Sequence, residues 1–213
     1  MKIVSINIAE ATNVFLSKGS KKKSLSGIFK KPVSKPVFLN YIGFEGDGVG
    51  DRRIHGGEDK AVCVYSVDHF QYWGEKLKRE ILPGAFGENL SLEGMLETQV
   101  NIGDIFEVGK AQVEVTQPRQ PCHKLNKVFE DQSMACNVQT TGFSGFYLRV
   151  LKPGLVEPGA ILNRIHEGHF SIEKANALLR RGGKNIQHMR ELINIKALSE
   201  EWKDMFQKRL LKS

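Results

Sequence analysis

The sequence predicts a mainly β protein with some helix: a barrel-like β domain over residues 1–163, followed by a small three-helix extension over residues 164–213. Three observations predict it. Up to about residue 163, short runs of alternating apolar and polar residues recur, separated by glycine turns. Gly103–Val108 and Ala111–Thr116, joined at Gly109-Lys110, alternate on both arms as a hairpin does. From Ser171 the apolar spacing changes to that of helices.

Residues 3–8 alternate as a first strand, and Gly19 to Pro36, rich in Gly, Ser, Lys and Pro, reads as a long loop of the kind that forms lids. Val37–Tyr41 and Ala61–Val67 read as strands, the second β-branched enough to be buried. Val67-Asp68-His69-Phe70 opens a short helix through Trp73 and Leu77. Many short strands joined by glycine turns favour a closed or barrel-like sheet. In the extension, Ala175, Leu178 and Leu179 form one apolar stripe and Ile186, Met189, Leu192 and Ile193 a second. Trp202, Met205, Phe206 and Leu210 form a third, after Ser199 as N-cap with Glu200 and Glu201 in the first turn. Gly182-Gly183 and Asn194–Ala197 are the breaks. The Trp202 and Phe206 stripe either caps the barrel or pairs two subunits into a homodimer.

With 213 residues, 40% hydrophobic and 26% charged, the chain can build one full core and an appendage. No run approaches the roughly 18 apolar residues of a membrane span, and the start lacks a signal peptide's apolar block. Cys63, Cys122 and Cys136 contain no CxxC pair, which excludes a disulfide framework or a standard structural zinc site and points to a reducing, cytoplasmic compartment. The net charge is +7, but residues 36–163 hold twelve basic and seventeen acidic residues. Clusters of Arg, Lys and His there are therefore local features. Residues 18–35 hold seven lysines, Lys18 to Lys35, and no acid: a solvated loop, or one that contacts a phosphorylated ligand. The extension is basic too, but Gly182-Gly183 does not make a recognition turn, and nucleic acid is not an expected partner.

Three segments could carry chemistry. Gly46 to Lys60 is a glycine-dense turn whose backbone N–H groups can converge on an anion, with Arg52, Arg53, His55 and Lys60 around Gly56-Gly57. It lacks the GK[ST] ending of a nucleotide loop, and a plain turn between strands explains the glycines equally well. Gln117 to Leu125 sets Cys122 among Arg119, His123 and Lys124, which favours the thiolate, the form that acts as nucleophile or soft metal ligand. Cys63, inside an apolar run, reads as inert core, and so does Cys136; Cys122-His123 adjacency is poor spacing for zinc. Gly142 to Gly154 leads into a strand with Tyr147 and Arg149 on one face; Arg149 either grips a phosphate bidentately or makes a surface ion pair. Phe86-Gly87-Glu88-Asn89-Leu90 reads as a turn whose carboxylate and amide tie loops together.

In this order the segments resemble the MOSC family, the domain related to the C-terminal part of molybdenum cofactor sulfurase, and its small stand-alone bacterial YiiM-like members with a three-helix extension. The blocks are G-D…H-G-G-x-x-K-A, F-G-E-N-L, R-x-P-C-x-K-L and G-x-Y-x-R-V-L-x-P-G, across roughly residues 1–163. One departure is Gly159-Ala160, where the family has Gly-Asp. The resemblance implies a molybdenum-pterin cofactor and reductive N–O cleavage of a small N-hydroxylated substrate, such as a hydroxylaminopurine-type base. It implies Cys122 as molybdenum ligand; His123, the nearest group able to donate a proton, is the expected proton donor. His55, Gly56, Gly57, Lys60, Arg119, Lys124, Tyr147 and Arg149 would hold the cofactor. No flavin, nicotinamide or iron–sulfur motif is present, so electrons would come from an external electron-donor protein. The alternative is a sulfur carrier or cofactor-handling protein that uses a Cys122 persulfide.

Overall fold

The alternation at the start of the chain becomes β1 (Lys2–Ile8) in a computed structural model that describes residues 1–15, 23–48, 50, 56–179 and 185–212. β2 (Thr12–Phe15) and β3 (Lys23–Ser26) then pair as an antiparallel hairpin, and β4 (Lys31–Val33) pairs with the edge of β1. The expected long loop is thus corrected, because strand pairing there rests on backbone hydrogen bonds that a polar, lysine-rich composition does not signal. Lys18, Lys21 and Lys22 lie outside the described residues.

The chain continues through β5 (Val37–Asn40), β6 (Gly43–Phe44), a 3₁₀ turn at Glu58–Lys60 and β7 (Val62–Ser66). A second 3₁₀ turn, Val67–His69, runs into α1 (Phe70–Leu77) as expected. β8 (Leu90–Glu93), β9 (Asn101–Ile102), and the anticipated hairpin of β10 (Ile105–Val108) and β11 (Ala111–Pro118) follow. After α2 (Leu125–Val128) and α3 (Met134–Thr141) come β12 (Phe146–Lys152), β13 (Gly154–Val156), β14 (Leu162–His166) and β15 (Phe170–Ser171). The extension is α4 (Ile172–Leu179), α5 (Ile186–Ile193) and α6 (Glu200–Leu210).

Eight strands form one curled half-barrel sheet in the order β14-β10-β11-β12-β7-β8-β1-β4. The turn before β14 stitches it to β1: Ile3 N donates to Ala160 O at 2.9 Å, and Gly159 N to Ile3 O at 3.0 Å. Both bonds use backbone alone, which accounts for Ala160 being tolerated there.

Inside the curl, Val62, Val64, Val113, Val115, Phe146 and Leu148 pack with Ile3 and Ile6. Leu178, Met189, Leu192, Trp202 and Phe206 of the extension belong to the same continuous core. Trp202 and Phe206 are fully buried, so these two side chains cap the barrel. Ser199 caps α6 as expected, accepting from Trp202 N at 3.3 Å. A second cluster, on the outer side of β7, stacks Tyr65 on Phe86 (ring centroids 3.9 Å apart) beside Trp73 and Phe129. Among the described residues no helix is long and apolar enough to cross a membrane.

Candidate functional site

Strand register assembles the floor of the site. Cys63 of β7 sits opposite Tyr147 of β12, and Tyr147 sits opposite Gln117 of β11. Directly opposed residues share a side of the sheet, so these three form a row on the outer face, while Val62, Val64 and Leu148 point into the core. Loops from four parts of the chain rise around Cys63 and Tyr147 and leave a cleft of about 660 Å³, part of it continuous with solvent.

The walls are bonded to the floor. Asp47 accepts from Lys30 Nζ, from Ala9 N at 3.0 Å and from Asn89 Nδ2 at 2.8 Å; Asn89 Oδ1 in turn accepts from Cys63 N at 3.1 Å. Gly27 lets the chain after β3 lie against Gly48, since a Cβ there would overlap the Gly48 carbonyl oxygen. The Phe86–Leu90 turn ties loops as expected: the fully buried Glu88 accepts from Gly84 N (2.7 Å), Phe86 N (3.0 Å) and Ser91 Oγ (2.7 Å). Burial pushes its carboxyl above the ordinary value of 4.5, and the nearby Arg119 charge opposes that shift.

Arg119 is the central cation. It is 5% exposed, its Nη2 donates to Phe86 O at 2.5 Å, and its Nη1, also buried, has no hydrogen-bond partner among the described residues. A guanidinium N–H left unpaired at a cleft wall costs about 1–3 kcal/mol and is the donor an anionic ligand would satisfy. Cys122 is half-buried at the same cleft, with Lys124 N donating to its Sγ at 3.5 Å and His123 Nδ1 at 4.0 Å. Lys124 Nζ donates to Leu25 O at 3.0 Å, and Lys60, at the opposite rim, pairs with Glu201 of α6. Burial holds the Tyr147 phenol well above its usual range, so it remains a proton-bearing group at neutral pH, and burial likewise pushes the Cys63 thiol up.

The structure brings Lys60, Arg119, Cys122, Lys124 and Tyr147 of the expected set to this cleft. Gly56 and Gly57 line a smaller neighbouring cavity instead. Arg149 is not brought to the cleft: its Nε and Nη2 donate to Asp59 Oδ1 at 3.0 and 2.5 Å and its Nη1 to Glu114 Oε2 at 3.0 Å. Two carboxylates therefore satisfy the guanidinium that was expected to grip a phosphate. His123 is exposed and outside the lining. His55 lies outside the described residues, as do Arg52 and Arg53. Cys63 is buried as expected but also lines the cleft, because polar loops cover this part of the outer face of β7, and the reading of Cys136 as core is corrected, since it is exposed on α3. Lys30, Asp47, Asn89 and Gln117 were not among the expected site residues. The period of two already put Cys63 on the face opposite Val62 and Val64, which was the available signal.

The residues present fit an anionic, phosphate-bearing ligand that brings its own metal ligands. The cleft wall carries Lys30, Lys60, Arg119 and Lys124 against Asp47, and it offers one accessible thiol. Among the described residues no three His, Cys, Asp or Glu side chains gather to hold a metal ion, so a metal here would draw on Cys122 and on its cofactor.

The sequence model of the MOSC domain matches residues 51–163, and that of the YiiM-like 3-alpha helix domain matches residues 171–212. The YflK protein of Bacillus subtilis (strain 168) is 45% identical over 190 residues, covering 88% of this chain and 86% of its own. A protein named reductase from Gibberella moniliformis (strain M3125 / FGSC 7600) is 37% identical over 138 residues, covering 63% of this chain and 24% of its own. The crystal structure of YiiM from Geobacillus stearothermophilus is similar over 98% of both chains, with a TM-score of 0.82 and 38% identity.

Proposed function

The chain belongs to the MOSC domain family, a family associated with the molybdenum cofactor, and from that premise and the cleft we propose that it is a molybdenum-cofactor-binding oxidoreductase that reduces N-hydroxylated compounds. The observation that carries the reading is the buried, unpartnered Arg119 Nη1 in the same cleft as the Cys122 thiol. Cys122 would ligate the metal, and Arg119, Lys60 and Lys124 would hold the pterin phosphate. When bound, the cofactor supplies the two-electron reduction that breaks the N–O bond.

In the net reaction the N–O bond breaks, two electrons and two protons enter, and an amine and water leave. An external electron-donor protein provides the electrons. His123, exposed at the rim 4.0 Å from the Cys122 sulfur, passes protons between solvent and cleft. Tyr147, kept protonated by burial, donates a hydrogen bond and does not act as a base. The reductase name of the fungal relative supports oxidoreductase chemistry, and the substrate class is our own assignment.

Protein from a cofactor-producing host, native and Cys122→Ser, would be assayed for molybdenum, for pterin fluorescence after oxidation, and for reduction of a hydroxylaminopurine by an artificial electron donor. Stoichiometric metal and pterin with turnover, and loss of metal in the variant, is the expected result. Metal-free protein that releases thiocyanate on cyanolysis, dependent on Cys122, would replace this reading with persulfide carriage.

A further inference from the structure

Beside the cleft lies a second cavity of about 420 Å³, part of it continuous with solvent, and Lys60 borders both. The Gly56-Gly57 turn and Asp59 form one side, and Ser199 and Glu201, at the start of α6, form the other. Gln117 also lines it. Gln117 is 2% exposed, and its Oε1 is buried with no hydrogen-bond partner among the described residues. Its Nε2 reaches the Pro118 carbonyl oxygen at 3.5 Å, which sets the sense of the amide, because a flipped amide would face two carbonyl oxygens at each other.

The other acceptors here are largely engaged with the protein. Asp59 takes Arg149 and, at 3.2 Å, Glu200 N; Glu201 takes Lys60 through Oε2. Asp59 is paired with Arg149 and Glu201 with Lys60, so the cavity lacks the cationic excess of the cleft. A buried carbonyl oxygen without a donor is rare, and as an acceptor it calls for an N–H donor and repels an anion.

We propose that this cavity is a substrate subsite for the amino-bearing edge of a nitrogen heterocycle, with Gln117 Oε1 as the primary acceptor and Glu201 as the second. The three-helix extension then contributes directly to specificity. The identification of this edge with the substrate rests on the reductase reading; the binding preference does not. A pterin carries a similar edge, so the test must separate the two sources.

The probe is 2-aminopurine, followed by its fluorescence, with unsubstituted purine as a competitor that lacks only the amino group. Cofactor-free protein is expected to bind 2-aminopurine at least tenfold more tightly than purine. Gln117→Leu should bring that ratio to within twofold while still binding inorganic pyrophosphate in the cleft within about twofold of wild type, and Glu201→Gln should lower the ratio severalfold. If Gln117→Leu does not fold, Gln117→Met and Glu201→Gln carry the test. Equal binding of the two purines, or a ratio that survives loss of the Gln117 amide, overturns the subsite. Protein loaded with molybdenum cofactor should still bind 2-aminopurine; loss of binding on loading would give the cavity to the pterin and overturn the substrate assignment. Absence of molybdenum or turnover would defeat the reductase reading but leave the result in cofactor-free protein standing.

Discussion

Replacing Arg119 with Met keeps the apolar stem and removes the guanidinium, and two effects then oppose each other in the ligand-free protein. Removing the unpaired Nη1 relieves a penalty of about 1–3 kcal/mol, while the Phe86 carbonyl loses a charge-assisted partner at 2.5 Å, worth about as much. Stability should therefore change by no more than about 2 kcal/mol. Anion binding has no such compensation. A charged hydrogen bond from Arg119 to phosphate is worth about 1.5–3 kcal/mol, so affinity for pyrophosphate should fall about 10- to 150-fold. Lys124→Ala, which removes a more exposed cation, should weaken it by about fivefold at most. Calorimetric titration of cofactor-free protein at fixed ionic strength gives the Kd, and urea unfolding gives the stability. An Arg119→Met protein that binds pyrophosphate as tightly as wild type would refute the assignment of Nη1 to an anion.

Cys122→Ser should unfold within about 0.5 kcal/mol of wild type, because Cys122 is only half-buried, while its molybdenum content falls to background by elemental analysis. Trp202→Ala should cost about 3–5 kcal/mol, and because the extension shares the barrel core, far-UV circular dichroism and Trp73 fluorescence should report one coincident urea transition. The folded state holds the Glu88 proton to higher pH than the unfolded chain does. The unfolded state therefore binds fewer protons as pH rises above about 4.5, and the stability of wild type relative to Glu88→Gln should fall as pH rises above that value in urea titrations. A flat or rising difference would contradict the burial of that carboxyl.

The β10–β11 hairpin, the α6 cap at Ser199 and the Cys122 loop were legible in the sequence, because each depends on residues next to one another in the chain. β3 and β4 were not, because their pairing partners lie in β2 and β1 and their side chains are polar or exposed. The fate of Arg149 was open for a related reason. Period two placed it on the same face as Tyr147, but only the meeting of Asp59 and Glu114 around it decided between phosphate and ion pair. Cys63 shows the limit of composition: an apolar, β-branched run is buried on both faces, yet the material that buries each face can differ, and here one face is a polar cleft.

Gln117 and Arg119 are two residues apart and carry unsatisfied atoms of opposite kind, an acceptor beside the neighbouring cavity and a donor in the cationic cleft. Each forgoes about 1–3 kcal/mol in the ligand-free protein, a large share of the roughly 5–15 kcal/mol that holds a domain folded. The walls nevertheless hold their places, because Lys30, Asp47, Asn89 and Cys63 form one bonded chain, and a Cβ on Gly27 or Gly50 would strike backbone of the facing loop. A site fixed in advance loses little entropy on binding, so ligands recover most of the forgone stability. Pyrophosphate at a hundred times its Kd should raise the unfolding free energy by about 2.7 kcal/mol, read as an upward shift in Tm. That shift should shrink in Arg119→Met and persist in Gln117→Leu; equal shifts in the two variants would mean that the two unsatisfied atoms do not mark separate sites.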